Sequence, residues 1–323
     1  MSAILITGAC GQLGSELRER ERVFRSAFEQ SDKSETGFTK IFFTDIKELD
    51  ICDQEAVNTF VQNNGITHII NCAAYTAVDR AEDDLTGALK LNGFAPGYLA
   101  AAMKSVNGYM LHISTDYVFD GNGPLPYREE ERTSPLTTYG RTKLEGEKAV
   151  IATGCRHNII RTSWLYSCYG SNFVKTILRL AIEKESINVV FDQIGSPTYA
   201  GDLAESIIKI VSLSGNIPPC NQEERNWEDY IYHYSNEGVC SWYDLAYETI
   251  RLAKEKWPEE SGYRFNCKVL PVTSDKFPAP AKRPSFSLLN KDKVKAAFSL
   301  EIPHWRSSLE KCIRNMKTQD FTT

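Results

Sequence analysis

The sequence predicts an α/β fold: a doubly wound, mostly parallel sheet with a smaller C-terminal α/β lobe. Short apolar segments alternate with helical segments over the first half of the chain, which is typical of a parallel sheet wound with helices. Chemically distinctive residues follow the apolar segments, at the carboxyl ends of the predicted strands, where such sheets bind ligands. A chain of 323 residues is long enough for a large core and a second lobe.

Three glycines follow the first predicted strand, Ala3–Thr7, and precede a helix that opens near Ser15. Gly8, Gly11 and Gly14 would allow a tight turn and close approach of a phosphate, whose charge the helix N-terminus favours. The spacing is Gly-x-x-Gly-x-x-Gly, not the commoner Gly-x-Gly-x-x-Gly. The interpretation as a phosphate-binding turn therefore depends on the position of the glycines between a strand and a helix. The turn predicts a Rossmann-like dinucleotide site.

An acid ends the second predicted strand, Ile41–Asp45. Such an acid usually binds the adenosine ribose hydroxyl, although Asp45 could equally be a helix cap or a turn residue. It lies far from the glycines because residues 26–40 are polar and are predicted to be a loop insertion. Asp50 and Ile51 come next and could border the adenine.

A tyrosine and a lysine, Tyr139 and Lys143, are four residues apart in a predicted helix, so both project from one face. A lysine beside a tyrosine stabilises the phenolate and lowers the tyrosine pKa, which suits a general acid near neutral pH. Thr115, at the end of an apolar strand, could hold a substrate carbonyl. The alternative is a half-buried tyrosine beside a solvated lysine. Agreement with the other strand-end motifs favours the catalytic interpretation.

Apolar runs and helical periodicity predict the remaining elements. Strands are expected near residues 67–74, 157–164, 187–190, 230–234 and 268–272, helices near 54–63, 85–105, 139–149, 172–183, 201–211, 291–298 and 305–316, a further helix that starts at 241–245, and a polar loop at 214–229. We assign residues 1–165 to a dinucleotide-binding domain, to which the chain returns around 200–236. Residues 166–323 form mainly the substrate-binding lobe.

Composition excludes several classes of protein. The net charge is −5 and no basic run occurs, which argues against a nucleic-acid partner. No stretch approaches the ~20 apolar residues of a membrane span, and the N-terminus lacks the features of a signal peptide. The nine cysteines are scattered without a Cys-x-x-Cys pair, which indicates reduced thiols in the cytoplasm and no structural zinc. We expect a cytoplasmic protein without a membrane partner.

Taken together, the motifs resemble the extended short-chain dehydrogenase/reductase superfamily and, within it, the dTDP-4-dehydrorhamnose reductases. The superfamily signals are the glycine turn and Tyr139-x-x-x-Lys143. The narrower signals are six ordered blocks that begin at Asn71, Ser114, Arg161, Asp192, Ser241 and Arg283. The resemblance covers nearly the whole chain. It implies reduction of the C4 ketone of a dTDP-linked 4-keto-6-deoxy sugar, with NADPH or NADH as the cofactor.

The resemblance also implies roles for individual residues. The cofactor phosphates would be contacted by Gly8, Gly11, Gln12 and Leu13, and the adenosine by Asp45, Asp50 and Ile51. The cofactor channel would be lined by Ala74, Tyr75 and Thr76. The catalytic set would be Thr115, Tyr139 and Lys143, of which the last two also contact the cofactor. The sugar nucleotide would be contacted by Thr115, Asp116, Tyr117 and Trp164, and its diphosphate by Arg283.

Some features stay open. Asp45 would repel a 2′-phosphate and favour NADH, whereas the resembled family commonly uses NADPH. Some members bind Mg²⁺ between two subunits through glutamates. Glu16 matches one such position, but Gly201 stands at another, so no metal ligand is assigned and Mg²⁺ and a homodimer stay open. The alternative functions are a nucleotide-sugar epimerase or dehydratase of the same superfamily, and a non-catalytic regulatory subunit of the methionine adenosyltransferase type.

Overall fold

The computed structural model describes residues 3–31, 40–214, 230–258, 263–276 and 280–322. The predicted loop at 214–229 lies outside this part of the chain, apart from Ser214. The strands of the described residues are β1 (Ala3–Thr7), β2 (Lys40–Thr44), β3 (His68–Asn71), β4 (Tyr109–Thr115), β5 (Arg156–Thr162), β6 (Leu165–Tyr166), β7 (Ser186–Val190), β8 (Ile194–Gly195), β9 (Thr198–Tyr199), β10 (Ile231–Tyr234), β11 (Cys240–Ser241) and β12 (Lys268–Val272).

Six strands form one parallel sheet in the order β2-β1-β3-β4-β5-β10. Successive side chains of a strand point to opposite faces. Ile4 and Ile6 of β1 accordingly lie in one apolar cluster, and Ala3 and Leu5 in another. The predicted doubly wound parallel sheet is therefore confirmed.

Helices cover both faces of this sheet. They are α1 (Gln12–Glu19), α2 (Glu21–Ser31), α3 (Gln54–Asn63), α4 (Val78–Asp83), α5 (Leu85–Ala88), α6 (Ala95–Ser105), α7 (Thr138–Ala152), α8 (Phe173–Glu183), α9 (Ala200–Ser212), α10 (Trp242–Lys256), α11 (Asp292–Phe298), α12 (Trp305–Asn315) and α13 (Gln319–Thr322). On one face α1, α2, α9 and α11 pack against the sheet. On the other face lie α3, α6 and α7.

Two predicted segments differ from the structure. The loop expected from residue 26 starts as helix, because α2 continues to Ser31. Phe24 and Ala27 of this helix pack into the sheet-face cluster, and such burial outweighs the polar composition. The single helix expected at 85–105 is divided into α5, a π-helical turn at Leu89–Phe94, and α6.

A further apolar cluster is built by α8, α10, α12 and β7, with Trp305 fully buried at its centre. In this region β7 pairs with β12 in parallel. The cluster supports the wall that faces the carboxyl ends of the central strands. No helix among the described residues has the length and apolar character needed to cross a membrane.

Candidate active site

A cleft of about 1540 Å³ opens along the carboxyl ends of β1 to β5. Every residue predicted for the site lines it except Tyr75. The backbone N–H and C=O of Tyr75 both bond to the side chain of Asn92, at 2.8 and 3.1 Å. Tyr75 thus anchors the loop after β3 to the π-helical turn, and its contact with a cofactor stays a prediction.

The glycine turn forms a cradle that larger residues would fill. Gly8 has a φ of 65°, and a Cβ on it would lie 2.6 Å from the backbone nitrogen of Ala73. A Cβ on Gly14 would lie 2.4 Å from the Gly8 carbonyl oxygen. Both positions therefore require glycine. The turn leads into the N-terminus of α1, so the residues present fit a dinucleotide diphosphate.

Asp45 is held beside this turn. Its carboxylate accepts hydrogen bonds from the backbone N–H groups of Cys10 at 3.1 Å and Ile46 at 2.9 Å. The Asp45 N–H in turn donates to the Glu48 carboxylate at 2.9 Å. Together with Asp50 and Ile51 in the cleft wall, this places a negative charge where an adenosine would end.

Thr115 at the end of β4 lines the cleft together with Tyr139 and Lys143 of α7. The helix is oriented by its N-cap, since the Thr137 hydroxyl accepts the Gly140 N–H at 3.1 Å. Loss of hydration raises the pKa of Tyr139, and the nearby Thr115 hydroxyl only partly opposes this. The predicted lowering of the Tyr139 pKa by Lys143 is therefore wrong for this structure.

Lys143 is hydrogen-bonded to the backbone of β4, and burial dominates the pKa of Tyr139. The Lys143 Nζ donates to the Ile113 carbonyl at 2.6 Å. Burial lowers the pKa of Lys143 to about 8, although the nearby Glu147 carboxylate acts in the opposite direction. The lysine is consequently easier to deprotonate than a surface lysine.

A buried polar chain runs beneath Lys143 to the first strand. The Thr7 hydroxyl donates to Asn71 at 2.7 Å, and the Asn71 amide lies 3.1 Å from His112 Nδ1. His112 Nε2 is 3.5 Å from Lys143 Nζ. Burial lowers the pKa of His112 well below its ordinary value, so the ring is neutral. Sequence reasoning missed this residue, although a histidine inside an apolar strand is a signal for it.

A buried ion pair fixes α7 against the sheet. Arg161 Nη2 lies 2.7 Å from Glu147 Oε2, and the two side chains are 0% and 1% exposed. The Ser114 hydroxyl also donates to Glu147. Because Ser114 precedes Thr115 and Glu147 lies one turn after Lys143, the pair sets the register between Thr115 and Lys143. The sequence interpretation treated Glu147 as an ordinary helix residue.

Asp116 is buried next to Thr115 of the predicted catalytic set. Its Oδ1 accepts the Thr115 hydroxyl at 3.1 Å. Its Oδ2 is buried without a hydrogen-bond partner among the described residues. Burial raises the pKa of this carboxyl to about 7. Asp116 therefore changes its charge near neutral pH.

Trp164 forms an aromatic wall of the cleft. It has a φ of 49°, in the left-handed region, which costs on the order of 1–3 kcal/mol for a residue other than glycine. Its ring stacks on Trp242 with centroids 3.6 Å apart. A Cβ on Gly195 would come within 2.6 Å of the indole. Trp242, to which the sequence analysis gave no role in the site, thus supports Trp164, the predicted substrate contact.

Arg283 lines the cleft and is paired with an acid. Its Nη2 is 2.6 Å from Asp79 Oδ2, and its Nη1 is 3.5 Å from the Tyr117 hydroxyl. The Ala281 N–H donates to the same aspartate at 3.1 Å. The guanidinium is thereby positioned in the cleft wall, where it could meet an anionic group.

The Mg²⁺ site of the resembled family does not fit these residues. The Glu16 carboxylate is engaged by Arg20 at 2.7 Å and by the Ser167 hydroxyl at 2.6 Å. A Cβ on Gly201 would lie 2.7 Å from Arg20 Nη2, so the absence of a side chain there makes room for the guanidinium. No group of three metal-ligating side chains occurs within the described ranges.

The chain is similar to known proteins over almost its whole length. The family model described as the RmlD substrate binding domain matches residues 1–318. The spore coat polysaccharide biosynthesis protein SpsK of Bacillus subtilis is 37% identical over 97% of this chain and 98% of its own length. The dTDP-4-dehydrorhamnose reductase of Burkholderia thailandensis is 34% identical over 98% of this chain and 99% of its own.

A solved structure is similar over the same extent. The dTDP-4-dehydrorhamnose reductase of Bacillus anthracis, determined in complex with NADP, superimposes with a TM-score of 0.82. It is 36% identical and covers 98% of this chain and 100% of its own.

Proposed function

The chain belongs to the family of the RmlD substrate binding domain, and from this premise we propose that it is an NAD(P)H-dependent dTDP-4-dehydrorhamnose reductase. The reaction reduces the C4 ketone of dTDP-6-deoxy-L-lyxo-4-hexulose and yields dTDP-L-rhamnose. The observation that carries the proposal is the meeting of Thr115, Tyr139 and Lys143 with the glycine turn in one cleft. Residues 1–165 would form the cofactor-binding domain, to which the chain returns around 200–236, and residues 166–323 mainly the substrate-binding lobe.

The reduced nicotinamide supplies the hydride that reaches C4 of the sugar. The phenol of Tyr139 then donates its proton to the oxygen, because an alkoxide is a stronger base than a phenolate. The raised pKa of Tyr139 keeps this proton in place at neutral pH until the alkoxide develops. Thr115 holds the ketone oxygen beside the phenol, and such positioning supplies much of the rate.

The other residues of the cleft bind and orient. Lys143, held by the Ile113 carbonyl, would contact the nicotinamide ribose. Trp164 on its Trp242 support would cover one face of the sugar. Arg283 would meet the diphosphate, exchanging its present partner Asp79 for the ligand.

The test is to measure the consumption of NADPH and of NADH with freshly prepared dTDP-6-deoxy-L-lyxo-4-hexulose, identifying the product by NMR. Formation of dTDP-L-rhamnose supports the proposal, and the two rates give the cofactor preference. A protein that binds cofactor but turns over neither mixture contradicts it. NAD released on denaturation would favour an epimerase or dehydratase, and co-purification of a methionine adenosyltransferase would favour a regulatory subunit.

A further inference from the structure

We propose that Cys168 and Cys312 form an oxidation site that links the thiol state of the protein to its cofactor turn. Cys168 follows β6, and Cys312 lies in α12. Their sulfur atoms are 3.8 Å apart, and the Cys168 thiol donates to the Cys312 carbonyl at 3.4 Å. Two thiols from distant parts of the chain are thus already in contact.

One of the two thiols is accessible. Cys168 lines a pocket of about 320 Å³ together with Arg20 and Tyr169, whereas Cys312 is fully buried. The hydrogen bond with Cys312 lowers the pKa of Cys168, and burial raises that of Cys312. Among the charged groups facing Cys168, Lys256 favours its thiolate, and Glu16 and Asp320 oppose it. Cys168 is therefore the thiol that reacts first.

The oxidant is a hydroperoxide. The Cys168 thiolate attacks one peroxide oxygen and the O–O bond breaks, which gives a sulfenic acid and, after proton uptake, water or an alcohol. The Cys312 sulfur then attacks Cys168 Sγ. The S–O bond breaks, and the leaving hydroxide takes the Cys312 proton and departs as water. Two thiols together lose two protons and two electrons, which the peroxide accepts.

The segment after Cys168 touches the cofactor turn. The Ser167 hydroxyl donates to Glu16 of α1 at 2.6 Å, and the Asn172 amide donates to Gln12 at 3.1 Å. A disulfide has a sulfur–sulfur distance of about 2.05 Å, so the two sulfurs must approach by about 1.8 Å from their 3.8 Å separation. This displacement would move the segment that carries Asn172 and strain its hydrogen bond to Gln12. We therefore expect the cross-linked protein to bind the cofactor more weakly. This half of the inference rests on the proposed cofactor role of Gln12.

The cross-link is tested by treating the whole protein with a small excess of hydrogen peroxide. Intact mass should fall by about 2 Da, the mass of two hydrogens, and a Cys168–Cys312 cross-linked peptide should appear and vanish with dithiothreitol. The variants Cys168→Ser and Cys312→Ser should not form it. Cys267→Ser, which removes a buried thiol outside both pockets, should form it like the wild type. If Cys168 and Cys312 of the peroxide-treated protein can both still be alkylated after unfolding, the proposal is overturned.

The link to the cofactor is tested by titrating NADPH and NADH into the reduced and cross-linked proteins. The dissociation constant should rise about tenfold on cross-linking, a typical coupling between two sites, and Cys168→Ser should show no change with peroxide. An unchanged constant in protein whose cross-link is verified overturns the link. Absence of binding in both states would instead refute the proposed cofactor site, so the two failures are distinguishable.

Discussion

The Thr115 hydroxyl donates to Asp116 Oδ1 across 3.1 Å and accepts the Tyr117 N–H at 3.2 Å. A hydroxyl has a single proton to donate, so Thr115 cannot also donate to a ketone while this bond persists. A protonated Asp116 could donate to Thr115 instead and free that proton. In the proposed reaction, the charge of Asp116 would therefore decide whether Thr115 can donate to the substrate oxygen.

Replacing Asp116 by asparagine should change the pH dependence of the reaction. The pKa of Asp116 is raised to about 7 by burial, so the carboxyl is neutral below this pH and charged above it. In the wild type, kcat/KM should decline as the pH rises through about 7. In Asp116→Asn, whose amide stays neutral and can donate, this decline should be absent.

The measurement is kcat/KM from pH 5.5 to 9 for both proteins. The groups facing Asp116 are Tyr117, Tyr139, Thr115 and Ser287, none of which has an ordinary pKa in this range. Lys143, with a pKa of about 8, can add a second change in kcat/KM near that pH, which both proteins should show. A limb near 7 that persists in Asp116→Asn would show that another group titrates.

Loss of the phenol of Tyr139 should reduce turnover more than binding. Tyr139→Phe is expected to lower kcat by about 100-fold or more, the usual contribution of a general acid, while the cofactor dissociation constant changes little. The matched control is Tyr117→Phe, because that ring packs edge-on against Tyr139 with centroids 5.5 Å apart. Equal losses of kcat in the two variants would contradict the assignment of the acid.

The Asp45 carboxylate should discriminate between the two cofactors. Two like charges about 4 Å apart repel by about 1–4 kcal/mol between bulk water and a protein surface. Asp45→Asn should therefore raise the ratio of kcat/KM for NADPH to that for NADH by on the order of tenfold or more. Glu48→Gln is the control, since it neutralises the residue that accepts the Asp45 N–H and leaves Asp45 charged. A ratio unchanged by Asp45→Asn would exclude this role.

Removing one charge from the buried pair of Arg161 and Glu147 should lower the free energy of unfolding more than removing one charge from an exposed pair. Glu147→Gln leaves the guanidinium, which is 0% exposed, without its counter-charge, and such a change costs roughly 3–5 kcal/mol. Urea unfolding should report this loss. Glu255→Gln, which removes the exposed partner of Arg251, should cost less than about 1 kcal/mol. Comparable losses in both variants would mean that the buried pair has no special contribution.

Much of the fold could be predicted because its signals are local. The glycine turn, the apolar strands and the strand-end residues follow one another within short stretches, and they define both the parallel sheet and the cleft. The strands of a parallel sheet bring their carboxyl ends to one edge, so the predicted residues meet there even though Thr7 and Trp164 are far apart in sequence.

What escaped prediction depends on contacts between distant segments. Arg161 meets Glu147 only when β5 packs beside α7, and Trp242 reaches Trp164 only after the C-terminal lobe has folded back. The direction of the Lys143 side chain was missed for a similar reason. Spacing places it on the face of Tyr139, but the Ile113 carbonyl and its own burial determine where the ammonium points.

The pairing of β10 with the outer edge of β5 has a consequence for synthesis on the ribosome. The sixth strand is translated only at residues 231–234, almost 70 residues after β5 ends at Thr162, so until then β5 presents unpaired backbone N–H and C=O groups along its outer edge. Exposed edges of this kind invite association with other chains. The nascent chain is therefore most prone to aggregate between the completion of β5 and the arrival of β10, and a fragment that ends at residue 165 would remain in that state.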